Sequence, residues 1–168
     1  MRIALTGTPG TGKTTVAGRL DVPVEILHLH AFIDEHGLTT GRDTERGSSV
    51  ADIDAIRERL GDRSDILIES HLAHYLAVDR VIVLRCHPDT LRDRLESRDE
   101  PPETIAENAE SEALDVILSE TVSRHGRDRV FEIDTTGRSP AAVCSDVEAA
   151  IKGDRAPAAG IVDFTDAL

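Results

Sequence analysis

The segment Gly7-Thr8-Pro9-Gly10-Thr11-Gly12-Lys13-Thr14 constrains the fold of this chain more than any other feature of its sequence. It follows a short apolar run at residues 3–6 and opens a stretch, residues 13–20, with a helical pattern. Its spacing matches G-x-x-x-x-G-K-[ST], the pattern of a phosphate-binding loop (P-loop) between a strand and a helix. The glycines allow successive N–H groups to point inward around an anion, and the helix presents its positive end. We therefore predict a strand, a phosphate loop and a helix at this end of the chain.

The loop pattern also predicts what its residues bind. Its backbone amides are expected to surround the β-phosphate of ATP, Lys13 to bridge the β- and γ-phosphates, and the hydroxyl of Thr14 to coordinate Mg²⁺. Lys13 is one of only two lysines in the chain. The motif does not identify the phosphoryl acceptor, because many P-loop enzymes hydrolyse ATP. The residues predicted to bind ATP here are Gly10, Thr11, Gly12, Lys13, Thr14 and Thr15.

Strand and helix patterns alternate along the rest of the chain. This alternation predicts one α/β domain, in which right-handed crossovers build a parallel sheet covered by helices on both faces. The two prolines of residues 99–103 predict a break, residues 36–49 lack an apolar period and are interpreted as a mobile insertion, and the tail 153–168 could dock or remain disordered. Further strands are predicted at 24–29, 65–69, 80–86 and 129–134, and further helices at 50–60, 88–98, 101–125 and 139–152.

The composition indicates the type of organism and the cellular compartment of the protein. The chain carries a formal net charge of −13, with 32 acidic residues, and such a surface repels nucleic acid and itself in dilute salt. We interpret this as a haloarchaeal protein that does not bind DNA directly, the alternative being an ordinary acidic cytosolic protein. The N-terminus lacks a signal-peptide pattern and no long apolar run follows, so a cytoplasmic protein without membrane contact is predicted. Cys86 and Cys144 are predicted to be core thiols in a strand and a helix.

Glu69 and His71 follow the apolar run 66–68, at the carboxyl end of a predicted strand. Doubly wound sheets bind ligands at this edge. Glu69 is therefore a candidate to hold the water shell of Mg²⁺, and His71 a candidate to orient an attacking hydroxyl or water. The alternative is a carboxylate that caps a loop beside a packed histidine. A zinc site from His71 and the other nearby histidines is disfavoured, since zinc needs three or four convergent ligands. Those other histidines are His28, His30 and His74.

Several arginines lie on or beside the predicted helix 88–98. Arg94 and Arg98 are predicted to share one helix face, from which planar guanidinium groups can stabilise a transferring phosphoryl group. The alternative is a solvated face, and Arg92 with Glu96 is interpreted as a surface ion pair.

Six motifs occur in order within residues 1–152. They are Leu5 to Thr15, His71-Leu72-Ala73-His74-Tyr75, Val83-Leu84-Arg85, Arg94-Leu95-Glu96-Ser97-Arg98, Glu107-Asn108-Ala109-Glu110-Ser111-Glu112 and Glu132-Ile133-Asp134-Thr135-Thr136-Gly137. The phosphate loop is shared by many kinases, whereas the ordered combination of motifs is specific. In this combination the chain resembles the ribosome-assembly adenylate kinase family of archaea and eukaryotes, the adenylate kinase isoenzyme 6 or CINAP type.

The resemblance implies a nucleoside monophosphate kinase domain over 1–152, with five parallel strands in the order 2-3-1-4-5. It implies an AMP-binding insertion at about 30–60, a short lid at about 98–108 that carries Arg98, and adenine at the loop Asp134 to Arg138. Glu69 and His71 take the place of a Walker B-like motif whose acidic residue is often Asp. The implied reaction is ATP plus AMP to two ADP, with weak ATPase activity. A role in small-subunit ribosome maturation, through contact with ribosomal protein S11, is also implied.

Three hypotheses about function remain open from the sequence. The first is an adenylate kinase that accepts AMP or another nucleoside monophosphate. The second is an assembly factor in which ATP hydrolysis switches its binding to ribosomal protein S11. The third is a P-loop kinase of small metabolites.

Overall fold

The computed structural model describes residues 1–45 and 47–168. The strands, in chain order, are β1 (Arg2–Thr6), β2 (Glu25–His28), β3 (Thr39–Asp43), β4 (Ser48–Ala51), β5 (Ile66–Glu69), β6 (Arg80–Arg85) and β7 (Val130–Asp134). The α-helices are α1 (Lys13–Ala17), α2 (Leu29–His36), α3 (Ile53–Leu60), α4 (Pro88–Glu96), α5 (Pro102–Ala113), α6 (Val116–His125) and α7 (Pro140–Lys152).

Five of these strands form one parallel sheet in the order β2-β5-β1-β6-β7. Counting only the sheet strands along the chain, this is the predicted order 2-3-1-4-5. The α/β class and the parallel sheet are confirmed. β3 and β4 form a separate antiparallel hairpin that the sequence did not predict.

The sheet has a packed core on each face, because successive side chains of a strand point to opposite sides. On one side, Ala4 of β1 belongs to a cluster with Phe32, Ile56 and Leu118 from three helices. On the other side, Ile3 and Leu5 pack with residues of α1 and α7. Helices therefore cover both faces, and the phosphate loop emerges at the carboxyl edge of the central strand.

The segment between β2 and α3 is more regular than predicted. α2 replaces the end of the predicted strand 24–29, and the hairpin β3–β4 occupies most of the insertion 36–49, in which residue 46 lies outside the described residues. The helix predicted from residue 50 begins at Ile53, because the side chain of Asp52 caps it by accepting from the backbone N–H of Ala55 at 3.0 Å.

The predicted helix 101–125 is two helices, α5 and α6. Asp115 separates them with a left-handed backbone, φ 54°. Non-glycine residues adopt this conformation only where surrounding contacts hold it. The contact that holds Asp115 is with Arg85, described below.

The tail 153–168 docks on the domain. Ala158 forms a parallel bridge with Phe131 beside β7, and it accepts from the backbone N–H of Glu132 at 2.8 Å. Phe164 is buried.

Cys86, which lies just after β6, and Cys144 in α7 are both free and buried. No helix formed by the described residues is long and apolar enough to cross a lipid bilayer.

Candidate active site

The backbone of the phosphate loop requires its glycines. Gly7, Gly10 and Gly12 have φ of 143°, 93° and 103°. A Cβ atom at Gly7 would lie 2.5 Å from the carbonyl oxygen of Leu84, so only glycine fits between the loop and β6. The loop is thereby held against the sheet, and within it the backbone N–H of Thr11 donates to the carbonyl oxygen of Thr8 at 3.2 Å.

Lys13 is the buried cation of this loop. Its Nζ donates to the carbonyl oxygens of Gly7, at 2.8 Å, and Thr8, at 3.1 Å. Burial lowers the pKa of Lys13 to about 8, and the carboxylates of Glu69 and Glu112 oppose that shift. The amine therefore remains mostly protonated at neutral pH and offers positive charge where the loop is predicted to bind phosphate.

Glu69 lies opposite the start of α1. Thr14 Oγ1 donates to Glu69 Oε1 at 3.3 Å, and Nδ1 of His28 lies 2.9 Å from Oε2. His28 was not predicted to contribute, although it ends β2 in register with Glu69 at the end of β5. A hydroxyl beside a carboxylate is an oxygen donor set that suits Mg²⁺, which keeps several waters when bound.

The described residues contain no group of three or more His, Cys, Asp or Glu side chains placed to hold a metal ion. Two protein ligands still fit Mg²⁺, because water completes its shell. Of the histidines weighed for zinc, His28 contacts Glu69, and His74 is buried beside Thr6 and Glu120.

A cavity of about 460 Å³ opens above the phosphate loop. Lys13, Thr14, Glu69, His71 and Arg98 all line it, so the structure brings these predicted site residues together. The pKa of His71 is lowered to about 4, mainly by burial and then by the nearby charge of Lys13. His71 is therefore a neutral imidazole at physiological pH, able both to accept and to donate a hydrogen bond.

A second cavity, of about 210 Å³, adjoins the first and shares Gly10, Gly12, Thr15 and Arg98 with it. The remaining predicted residues, Thr11, Arg94 and Arg138, line this one, as does Thr135 of the loop 134–138. Sequence reasoning missed Pro140 and Val143, which also line it. The small volume and mixed apolar and polar lining suit a flat heterocycle.

The three predicted arginines of the site differ in their burial and in the groups that they contact. Arg94 is half-buried and donates to the carbonyl oxygens of Gly10 and Thr135 at 3.3 Å, which ties α4 to the phosphate loop. Arg98 lies beyond the end of α4 and is exposed, yet it reaches both cavities. Arg138 is held by Asp146 at 2.8 Å. The predicted pair of Arg92 with Glu96 is wrong, because Arg92 pairs with Asp89 one turn earlier, at 2.8 Å.

A third cavity, of about 400 Å³, lies between α2 and the hairpin. Asp34 of α2 and the hydroxyls of Thr39, Ser48 and Ser49 contribute to its wall. His30 and His71 line both this cavity and the one above the phosphate loop. The two spaces therefore meet at these histidines.

Comparison with solved structures supports the fold. A shikimate kinase from Acinetobacter baumannii superposes with a TM-score of 0.64 at 16% identity, over 92% of this chain and 94% of that one. A shikimate kinase from Bacteroides thetaiotaomicron gives 0.56 at 18% identity, over 90% and 98%. The model of the AAA domain family matches residues 3–115. The fold and the phosphate loop together define a P-loop domain of the α/β class.

Archaeal proteins named "Putative adenylate kinase" match the whole chain. The relative from Natronomonas pharaonis is 57% identical over 168 residues, all of both chains, and that from Halobacterium salinarum strain R1 is 55% identical over 99% of each. A relative from Methanothermobacter thermautotrophicus is 44% identical over 97% of this chain and 96% of its own. The chain belongs to this archaeal family and is a phosphotransferase enzyme.

Proposed function

We propose that the protein is an adenylate kinase that transfers the γ-phosphoryl group of ATP to AMP, with weak ATPase activity. The observation that carries this proposal is the junction between two cavities: the one above the phosphate loop and the one under the hairpin share His30 and His71. A donor and an acceptor bound in these spaces would meet beside Lys13. The relatives' printed name supports the same reaction.

The donor half of the site fits ATP and Mg²⁺. The loop amides and Lys13 would hold the β- and γ-phosphates, and the second cavity, beside Thr135 and Arg138, would hold adenine. Thr14 and Glu69 would hold Mg²⁺, which supplies charge neutralisation of the phosphates when bound.

The protein's own groups then orient the reactants. Lys13, Arg94 and Arg98 would present positive charge to the equatorial oxygens of the transferring group. His71 is uncharged at neutral pH and would orient the attacking phosphate oxygen of AMP by a hydrogen bond. We further propose that the segment 30–60 binds AMP and that 98–108 acts as a lid, which on closure excludes water and limits hydrolysis.

A coupled assay with ATP and a panel of nucleoside monophosphates and small metabolites, in molar salt, tests this proposal. We expect ADP formation that depends on AMP, with phosphate release slower than transfer. Phosphate release that is indifferent to AMP would instead support an ATPase switch. Phosphorylation of a metabolite without that of AMP would support a small-metabolite kinase.

A second role in small-subunit ribosome maturation is favoured by the net charge of −13, which suits a basic partner such as ribosomal protein S11. The resemblance to the isoenzyme 6 subtype supports the same role, in a cytoplasmic protein of a haloarchaeon. A pull-down from a salt-matched haloarchaeal lysate should recover S11, with recovery that changes between ATP and ADP. Absence of S11 from both samples would contradict this role.

A further inference from the structure

Arg85, at the end of β6, is the centre of a buried ion network. Only 1% of this residue is exposed. Its Nε donates to Glu112 Oε1 at 2.8 Å and its Nη1 to Glu132 Oε1 at 2.7 Å, while Nη2 bonds to Asp115. Burial acts to lower the pKa of Arg85, but Glu112 and Asp115 raise it, so the guanidinium stays charged. A buried charge of this kind is tolerated only while its partners remain in place.

The network reaches the phosphate loop through Glu112. While Oε1 binds Arg85, Oε2 of Glu112 accepts from the hydroxyl of Thr8 at 2.5 Å. Thr8 is fully buried, and its carbonyl oxygen accepts from Lys13 Nζ at 3.1 Å and from Thr11 Oγ1 at 2.8 Å. The position of Thr8 therefore sets where one of the two carbonyl acceptors of Lys13 lies.

The docked tail contacts the ion network through Glu132 and Arg85, whereas the phosphate loop contacts it through Glu112. The backbone N–H of Ile161 donates to Glu132 Oε2 at 2.7 Å, which fixes the second oxygen of that carboxylate. The ring of Phe164 lies 5.3 Å from Cζ of Arg85, and Phe164 is itself buried. Phe164 also packs edge-on against His87, which begins the helix that carries Arg94.

We propose that residues 153–168 are a positioning element of the nucleotide site, which acts through Arg85 and Glu112 on Thr8. With the tail removed, water reaches Arg85 and weakens its hold on Glu112, so the acceptor of the Thr8 hydroxyl is no longer fixed. Neither the tail nor Glu112 touches the reacting groups. The inference rests on the ATP site proposed above, and ATP binding is therefore measured directly by calorimetry on the full chain.

The first test removes the hydroxyl of Thr8. Thr8→Val should weaken ATP binding about tenfold, because the loop loses the contact that preorganises it and part of the binding free energy is then used to order it. Thr8→Ser should bind ATP within about twofold of the original protein, because it keeps the hydroxyl. Thr121→Val is the matched control: Thr121 is also buried and donates to Ile117 at 2.7 Å, within α6. It should lower Tm and leave ATP binding unchanged.

The second test combines Thr8→Val with a truncation after Ala159, which keeps the bridge of Ala158 to β7. The truncation alone should weaken ATP binding several-fold. In the Thr8→Val background it should cause no further loss, because both changes interrupt the same series of contacts from the tail to Thr8. Phe164→Ala replaces the truncation if the shortened chain does not fold.

Unchanged ATP binding in Thr8→Val, or losses that simply add in the double variant, would overturn the proposal. An original protein that binds no ATP would instead overturn the proposed nucleotide site itself.

Discussion

Lys13 and Lys152 are the two lysines of the chain, and their surroundings differ completely. Lys13 is buried among loop carbonyls, whereas Lys152 lies half-exposed at the end of α7, 3.7 Å from Glu148. The first contributes a buried charge to the site, and the second a surface ion pair of small energetic value.

Lys13→Ala should therefore reduce phosphoryl transfer by about a thousandfold or more, because it removes a charge that is preorganised for the transition state. Lys152→Ala is the control and should keep nearly full activity. Both variants are compared by ADP formation in the coupled assay, with folding checked by circular dichroism. Transfer that survives in Lys13→Ala would show that the phosphate loop is not the catalytic site.

His74 makes stability depend on pH. It is 1% exposed, its Nδ1 lies 3.1 Å from Thr6 Oγ1, and its Nε2 lies 2.9 Å from Glu120. Burial lowers its pKa, against the opposing effect of Glu120, while Arg124 and His125 lower it further. The unfolded chain therefore binds a proton below pH 6.5 that the folded chain resists. This contribution to stability is fully present above pH 6.5 and is lost as pH falls from 6.5 towards the lowered pKa of the folded state.

We expect Tm to fall less between pH 7.5 and pH 5 in His74→Gln than in the original protein, even though this variant is less stable at pH 7.5. His36→Gln, on α2 away from this network, serves as the control and should show the original pH dependence. Thermal melts across this range give the comparison. An equal loss of Tm in His74→Gln would mean that other groups account for the acid sensitivity.

At the level of elements, the hairpin β3–β4 shapes the third cavity, which is the proposed AMP site and is called the acceptor cavity below. Ser48 and Ser49 of β4 line that cavity, whereas Val50 does not and is 46% exposed. Ser49 and Val50 are neighbours in β4, so their side chains point to opposite faces of the hairpin.

Ser49→Phe should fill part of the acceptor cavity and raise KM for AMP about tenfold or more, with little change in ATP binding. Val50→Phe adds similar bulk at the adjacent position and should leave both unchanged. Steady-state kinetics with AMP and calorimetry with ATP separate the two effects. If Ser49→Phe leaves KM for AMP unaltered, AMP does not bind under the hairpin.

The break between α5 and α6 shows why one element was predicted incorrectly. Residues 101–125 contain no glycine or proline after Pro102, so their pattern indicates one long helix. Asp115 nevertheless adopts a left-handed backbone, and its carboxylate bonds to Arg85. The bend places this carboxylate beside a buried charge 30 residues away in the sequence, a contact that no local pattern indicates.

At the scale of the whole molecule, the net charge of −13 predicts that the stability of the folded chain depends on salt concentration. At 0.1 M salt the screening length is about 10 Å, so the carboxylates repel one another across the surface, and at 1 M it shrinks to about 3 Å. The stability of the folded chain should therefore increase with ionic strength.

We expect Tm to rise by several degrees or more from 0.1 M to 3 M KCl, with most of the rise below 1 M. Calorimetry at both salt concentrations measures this change, and an uncharged osmolyte at matched osmolality gives the control. A Tm that is flat in KCl, or that rises equally in the osmolyte, would contradict a charge-screening origin.

The sequence alone determined the features that depend on neighbours along the chain. The loop Gly7 to Thr14 follows from its glycines, the sheet from the alternation of strand and helix patterns, and the placement of Glu69 from its position at a strand end. These are local because backbone conformation and periodicity are set within a few residues.

Only the tertiary structure decided which distant groups share one space. Glu112 meets Thr8 across 104 positions of chain, the tail covers Arg85, and His28 reaches Glu69 from the neighbouring strand. No spacing in the sequence predicts these contacts, because buried charges and donors are satisfied by whatever partner the fold brings near them.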